Sequence, residues 1–245
     1  RRAFLAGILA PLASVVTVSG ILPVVFKPIV QDQGWYKERF ANAMAGMDSY
    51  ETGISGMKKN LFTLVRPGDS VVDLGAGLGP NIAYLPESLQ YIAVEPNTYM
   101  HSAISDKAAA HFKDPQNLPT LILDDLRLAP SASADVVIST LVLCSVKDQR
   151  AVLSEVLRVL RPGGKFLFVE HVIEPSQGYP SPFRSFDWGR AAYTWTQQAL
   201  SPLQSLLADN CHADRDTLAA ISAEFSDVFV KRFRVPQLWG DHGLG

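Results

Sequence analysis

The sequence is poor in cysteine and has no excess of basic residues. Cys144 and Cys211 are the only cysteines among 245 residues, so a disulfide framework is excluded, and their spacing matches no metal-binding motif. We therefore expect no metal site. The 22 Lys and Arg residues are balanced by 24 Asp and Glu residues, which gives a net charge of −2. Without a basic stretch, no nucleic-acid partner is expected.

Charge is also missing from residues 3–26, AFLAGILAPLASVVTVSGILPVVF. An apolar stretch of this length can span a bilayer. Pro11 and Pro23 interrupt it, which suits a kinked or hairpin-like anchor as well as a span. We expect residues 1–30 to associate with a membrane and residues 31–245 to form one domain. The alternatives are a helix buried against that domain and a cleaved signal peptide.

A glycine-rich loop lies at residues 71–80, VVDLGAGLGP. A buried β-run leads to Asp73, and three glycines follow at alternate positions: Gly75, Gly77 and Gly79. A backbone without Cβ atoms can turn sharply and lie against a ligand. Pro80 suits the first turn of a helix. The pattern therefore predicts a strand, a glycine loop and a helix N-terminus, which together cradle a nucleotide-type ligand.

The spacing of this loop is D-x-G-x-G-x-G, which differs from the G-x-G-x-x-G of dinucleotide-binding folds. A second apolar run, Tyr91 to Val94, ends in Glu95 about twenty residues downstream. A carboxylate there can accept hydrogen bonds from both hydroxyls of a ribose. Loop and carboxylate together indicate a site for S-adenosylmethionine (SAM), the alternative being a purely structural turn.

Apolar strands and amphipathic helices alternate along the chain. We predict strands ending near 72 and at 90–94, 120–123, 134–140, 165–172 and 226–234, with helices at 31–66, 81–85, 98–112, 147–160 and 214–224. This alternation predicts a doubly wound parallel sheet, with ligands beyond the carboxyl ends of its strands. The polar residues at those ends are Asp73, Glu95, Asp124, Thr140 and His171.

An aromatic-rich insertion at about 175–212 follows the predicted fifth strand. It carries Phe183, Phe186, Trp188, Tyr193 and Trp195. We expect it to form a cap over the substrate, and a hydrophobic packing face or further membrane contact is the alternative.

The motifs over residues 60–172 resemble the class I SAM-dependent methyltransferases: the DLGAGLG loop, Glu95, the Asp124-Asp125 pair and the LRPGG turn. The segments STLVLCSV at 139–146, VLRPGG at 159–164 and EHV at 170–172 are more closely similar to the membrane-anchored, methyltransferase-like alkyl-thiol methyltransferases. The resemblance implies a Rossmann-like, mostly parallel sheet of the seven-stranded type. It also implies association with the endoplasmic reticulum or lipid droplets. The insertion after the predicted fifth strand departs from the family, because it is longer and more aromatic than the resemblance leads us to expect.

The resemblance also implies which residues bind SAM. They are Asp73, Gly75, Ala76, Gly77, Gly79, Asn81, Glu95, Pro96, Asn97, Asp124, Asp125, Leu126, Thr140 and Leu141. The glycine loop and Asp73 would hold the methionine part, and Glu95 the ribose. Asp124 would accept from the adenine amino group with Asp125 and Leu126 beside the ring, although Asp125 could instead face solvent. Thr140 and Leu141 would flank the methyl group.

The expected activity is methyl transfer to a small molecule, with a thiol favoured because a thiol of pKa about 8.5 needs little activation. His171 is the candidate base, unless it only orients a loop, and His242 is a weaker candidate. Cys144 is expected to be a small buried hydrophobe. The alternatives are an oxygen or carbon acceptor, or a cyclase of the same fold. Because the chain starts at Arg1 and stops soon after His242, we expect residues beyond both ends.

Overall fold

The computed structural model describes residues 31, 33–46, 48–113, 121–173 and 188–233, with the backbone alone at 48–50 and 188–194. The uncharged segment at 3–26 lies outside the described residues. Two of the insertion's aromatic residues, Phe183 and Phe186, also lie outside them, as does the candidate base His242.

The described residues form one parallel sheet of five strands in the order β3-β2-β1-β4-β5. The strands are β1 (Ser70–Leu74), β2 (Gln90–Val94), β3 (Leu121–Leu123), β4 (Ala134–Thr140) and β5 (Leu160–Val169). Chain order reverses direction at β1, as in a doubly wound fold, so a crevice opens beyond the carboxyl ends of β1 and β4. The predicted fold class is confirmed.

The described residues also form helices, and helices pack on both faces of the sheet. They are α1 (Gly34–Met44), α2 (Asp48–Phe62), α3 (His101–His111), α4 (Gln149–Val159), α5 (Trp188–Leu207) and α6 (Thr217–Glu224). Asp148 and Asp216 start α4 and α6 by accepting the backbone N–H groups of Ala151 and Ala219, at 3.1 and 3.0 Å. Within the part of the chain that the structure describes, no helix is both long and apolar enough to cross a membrane.

Two hydrophobic cores lie on opposite faces of the sheet. Val71 and Val72 are both fully buried, and because successive strand residues face opposite ways, each belongs to a different core. Ile104 of α3 packs in the core with Val71, and Val156 of α4 packs in the core with Val72. Covering both faces leaves the carboxyl ends of the strands as the place for a site.

Two predicted elements differ from the structure. The segment after the glycine loop is a short 3-10 turn, Ile82–Tyr84, instead of the predicted helix. Pro86 follows almost at once, and a residue before proline disfavours helical backbone. The strand predicted at 226–234 was wrong for residues 226–233, which form none. There, Phe229 is 95% exposed, so its apolar side chain has no core to enter.

The predicted LRPGG turn is a bulge inside β5. Leu160 pairs with Ala134 and Lys165 with Val136, so four residues on β5 are left unpaired between these pairs. Gly163 adopts φ +80°, which favours glycine. The bulge brings the guanidinium of Arg161 within 2.8 Å of both carboxylate oxygens of Asp135.

This network also reaches the first strand. Asp135 Oδ2 accepts the backbone N–H of Ser70 at 2.8 Å, so one carboxylate joins the amino ends of β1 and β4 to the bulge of β5. At the opposite end β5 stops at Val169, earlier than predicted, so that Glu170 and His171 lie just beyond its carboxyl end.

Candidate active site

The glycine loop turns through the left-handed region at each predicted glycine. Gly75, Gly77 and Gly79 have φ values of +63°, +56° and +72°. The N–H groups of Gly75 and Ala76 both donate to the carbonyl of Val94, at 2.7 and 3.1 Å, which fixes the loop to the end of β2. A Cβ on Gly77 would meet nothing within 4 Å, so the loop has an open side against which a cofactor can lie.

Glu95 lies where the sequence predicts a ribose ligand, at the end of β2 beside this loop. Its Oε2 accepts the N–H of Gly77 and its Oε1 accepts the N–H of Asn97, both at 2.8 Å. Burial raises the pKa of Glu95, and these two N–H bonds oppose that rise. The carboxylate is therefore held in one orientation, with one edge against the loop. Its contact with a ribose remains a prediction.

Asp73 lies beneath the loop and is fully buried. Asn81 Nδ2 donates to its Oδ1 at 2.9 Å, and the hydroxyl of Tyr91 donates to its Oδ2 at 2.7 Å. The hydroxyl of Thr140 in turn donates to Asn81 Oδ1 at 3.3 Å, which connects the loop to the end of β4. Asp73 thus supports the loop from below, while its predicted contact with the ammonium group of SAM remains untested. Tyr91 was not among the predicted site residues.

Burial raises the pKa of Asp73 from 3.8 to about 6, against the opposing hydrogen bonds from Tyr91 and Asn81. Between these values the folded chain binds more protons than the unfolded chain, so the free energy of unfolding falls as pH rises. The asparagine of Asp73→Asn does not titrate. The free energy of unfolding of this variant, compared with that of the parent, should therefore rise by up to about 3 kcal/mol between pH 4 and pH 7. Urea unfolding across this range measures the difference.

A second variant supplies the control for this prediction. Tyr91→Phe removes a donor that lowers the pKa of Asp73, so the pH-dependent interval should extend to higher pH. Parallel pH profiles for the parent and Asp73→Asn would contradict the assigned shift.

The structure separates the roles of Asp124 and Asp125. Asp125 accepts the N–H of Arg127 at 2.8 Å to cap the 3-10 turn Leu126–Leu128, and it also pairs with the Arg127 guanidinium. The side chain of Asp124 is 70% exposed and lies 4.0 Å from His101 Nε2. Asp124 is therefore the freer carboxylate for an adenine amino group, whereas Leu126 is buried.

Asn97 caps the next helical segment and also holds the first helix. Its Oδ1 accepts the N–H of Tyr99 at 3.2 Å, and its Nδ2 donates to the carbonyl of Lys37 in α1 at 2.9 Å. Helix α1 thus joins the edge of the site formed by Glu95, Pro96 and Asn97. The sequence placed α1 before the site but did not show this connection.

A half-buried carboxylate shapes the segment after β4, where Thr140 and Leu141 were predicted to flank the methyl group. Glu170 accepts the hydroxyl of Ser139 at 2.6 Å and the N–H groups of Val142 and Leu143 at 3.1 Å. Leu141 is forced to φ +60°, which is uncommon for a leucine. The EHV motif gives the position of Glu170 in the sequence but does not indicate this role.

His171 lies against both cysteines of the chain. Its Nδ1 is 3.4 Å from Cys211 Sγ, and Cys211 Sγ is 3.2 Å from Cys144 Sγ. Burial lowers the pKa of His171, but the hydrogen bond and charge of Cys211 outweigh it, so that the pKa is raised. Hydrogen bonding with Cys144 and with His171 lowers the pKa of Cys211. Cys144 is buried as predicted, but its two neighbours were not foreseen.

Strand order, a glycine loop bent at positive φ and an acidic residue ending β2 together define a class I methyltransferase domain. The family model described as "Methyltransferase domain" matches residues 72–168. A SAM-dependent methyltransferase from Thermotoga maritima shares the fold with a TM-score of 0.50 at 14% identity, over 78% of this chain and 80% of that one.

Two human proteins are more similar in sequence. Thiol S-methyltransferase TMT1B is 33% identical over 77% of this chain and 76% of its own length. Thiol S-methyltransferase TMT1A is 32% identical over 78% of this chain and 76% of its own length. The chain therefore belongs to this family of methyltransferases, and it is an enzyme that uses SAM as methyl donor.

Proposed function

We propose that the chain transfers the methyl group of SAM to the sulfur of a small thiol. The observation that carries this proposal is the 33% identity, over three quarters of both chains, to a protein named as a thiol S-methyltransferase. The open side of the loop at Gly77 and the oriented carboxylate of Glu95 fit the methionine and ribose parts of SAM. When bound, SAM supplies a methyl group on a sulfonium sulfur, ready for in-line displacement.

The chain's own groups favour sulfur over oxygen as the acceptor. His171 is a candidate base at the end of β5, and an imidazole, even with its pKa raised as here, is far too weak a base to ionise an alcohol. A thiol with pKa about 8.5 gives up its proton to such a group or to water, and its thiolate is the reactive form. An alcohol has a far higher pKa and would need a stronger base. His171 would thus receive a proton from the thiol, while Thr140 and Leu141 limit the direction of approach.

The acceptor is tested with SAM labelled in its methyl group. We expect label in alkyl thiols and none in alcohols or phenols of the same carbon skeleton. The rate should rise with pH until the acceptor thiol is ionised. Calorimetry with SAM alone comes first, because it separates cofactor binding from acceptor choice. Methylated phenols without methylated thiols would overturn the thiol assignment and leave the methyltransferase class intact.

We also propose that residues 1–30 attach the domain at 31–245 to a membrane, of the endoplasmic reticulum or lipid droplet type in a eukaryotic cell. The support is the absence of charge from residues 3–26. The full chain should float with phospholipid vesicles, and Val15→Glu with Val16→Glu should release it, because charge in an apolar segment opposes insertion. Equal flotation of both proteins would contradict this attachment.

A further inference from the structure

The two cysteines and His171 form a compact group of three side chains, which we call the Cys–His cluster. Cys144, His171 and Cys211 place one ligand atom each within 4.8 Å of one another. Cys144 is 1% and Cys211 8% exposed, so the sulfurs are withdrawn from solvent. They are 67 residues apart in sequence, which is why spacing alone indicated no metal site.

The fold holds each cysteine from its backbone. Cys144 is in the segment after β4 whose N–H groups bind Glu170, and its carbonyl accepts the N–H of His212 at 3.0 Å. Asn210 Nδ2 also donates to the carbonyl of Ser145. The segment that carries Cys144 is thus hydrogen-bonded to the residues on either side of Cys211. These bonds hold the two cysteines next to each other.

The turn before Cys211 is unusual in conformation. Asp209 and Asn210 are consecutive residues at φ +46° and +65°, a region that residues other than glycine seldom enter. This turn directs Cys211 back toward the end of the sheet. There the amide of Gln204 donates to its sulfur at 3.2 Å. Such a donor to a sulfur is the kind of outer contact that orients metal-binding thiolates.

We propose that Cys144, His171 and Cys211 form a binding site for a divalent metal ion that prefers thiolate ligands, such as zinc. Two thiolates and an imidazole are ligands that suit zinc, and they occur together in catalytic zinc sites that keep a fourth position open. With a metal bound, His171 is a ligand and not the base, so the proton of the acceptor thiol passes to water. Metal binding at this site is otherwise independent of which acceptor the enzyme methylates.

The distances favour an ion over a disulfide. Zinc about 2.3 Å from each sulfur holds two tetrahedrally placed sulfurs about 3.8 Å apart. The observed separation of 3.2 Å therefore needs to widen by about half an ångström. A disulfide would bring the sulfurs to about 2.05 Å, a movement of more than an ångström in segments fixed on both sides.

Cobalt(II) is the probe for this site, because its thiolate complexes give a sulfur-to-metal charge-transfer band in the near ultraviolet. The full-length protein is reduced, freed of metal with a chelator and titrated anaerobically with cobalt. We expect one equivalent to bind with this band, and zinc to displace it. Because the chain has only two cysteines, any such band must come from Cys144 or Cys211.

Single variants assign the ligands. Cys144→Ser and Cys211→Ser should each weaken the charge-transfer band by about half, and the double variant should abolish it. His171→Ala should weaken cobalt binding at least 10-fold, whereas His111→Gln, at a histidine that bonds Leu85 instead, should not change it. Far-UV circular dichroism of each variant shows that the fold is retained.

Three outcomes would overturn the proposal. One is no charge-transfer band from a protein in which two free thiols are counted. Another is a band that persists in the double cysteine variant. The third is a mass two hydrogen atoms lower in protein purified without reductant and with no metal bound, which would assign the pair to a disulfide.

Discussion

Replacing Glu95 by alanine is expected to weaken SAM binding about 100-fold, if its carboxylate accepts both ribose hydroxyls as predicted. Hydrogen bonds to a charged group contribute about 1.5–3 kcal/mol each, and about 1.4 kcal/mol corresponds to a factor of ten in affinity. The loss of two such bonds is therefore at least about 3 kcal/mol. Calorimetry on the parent and the variant measures the change in Kd.

Two further variants separate ribose recognition from support of the loop, because Glu95 also accepts the N–H groups of Gly77 and Asn97. Glu95→Gln retains the side-chain shape but loses the charge, so we expect an intermediate loss of about 10-fold. Glu87→Gln changes an exposed carboxylate that pairs with Lys113 instead, so SAM binding should change less than 3-fold. Unaltered SAM affinity in a folded Glu95→Ala protein would refute the ribose assignment.

Gly75→Ala is expected to lower the free energy of unfolding by about 2–5 kcal/mol. A left-handed φ costs a residue with a Cβ about 1–2 kcal/mol. The added Cβ would also lie 2.4 Å from Val142 Cγ2. Overpacking of this kind costs about 1–3 kcal/mol, and the hydrogen bond from the Val142 N–H to Glu170 opposes a backbone shift that would relieve it. Urea unfolding measures the loss.

Other glycines of the chain provide matched controls for Gly75→Ala. Gly77 and Gly68 also have positive φ, but a Cβ at either would meet nothing within 4 Å. Gly77→Ala and Gly68→Ala should therefore lose only about 1–2 kcal/mol. Gly77→Ala should additionally weaken SAM binding, since its Cβ enters the open side of the loop, whereas Gly68→Ala should not.

A double variant isolates the contact itself. Adding Val142→Ala to Gly75→Ala should restore the share of the unfolding free energy that is lost to overpacking. The interaction free energy between the two substitutions should be about 1–3 kcal/mol. If Gly75→Ala and Gly77→Ala unfolded at the same urea concentration, the contact with Val142 would not contribute to the loss of stability.

Most of the central fold could be predicted because periodicity and turn residues act locally. The alternation of apolar runs gave β2 and β4 at their observed bounds. The strand predicted at 226–234 rested on apolar residues alone. The exposed Phe229 shows that such a run forms no strand in this region of the structure.

The candidate site was predictable in its loop and acidic positions but not in its connections. Gly75, Glu95 and Asp124 were found because each follows a strand and the carboxyl ends of parallel strands meet. The Cys–His cluster and the bond from Tyr91 to Asp73 join residues that are distant in sequence. No spacing rule reports such pairs, since they depend on how segments fold against one another.

Asp135 lies at the amino end of the sheet, far from the candidate site, so the residues around its carboxylate can be changed to stabilise the enzyme. Along β4, Asp135 is five residues from Thr140, which at about 3.3 Å per residue separates the two ends by about 16 Å. Substitutions more than about 10 Å apart usually have additive effects. Changes that strengthen the ties among Ser70, Asp135 and Arg161 should therefore raise thermal tolerance without altering selectivity at the opposite end. A more heat-resistant variant could in this way be made first, and its acceptor range evolved afterwards.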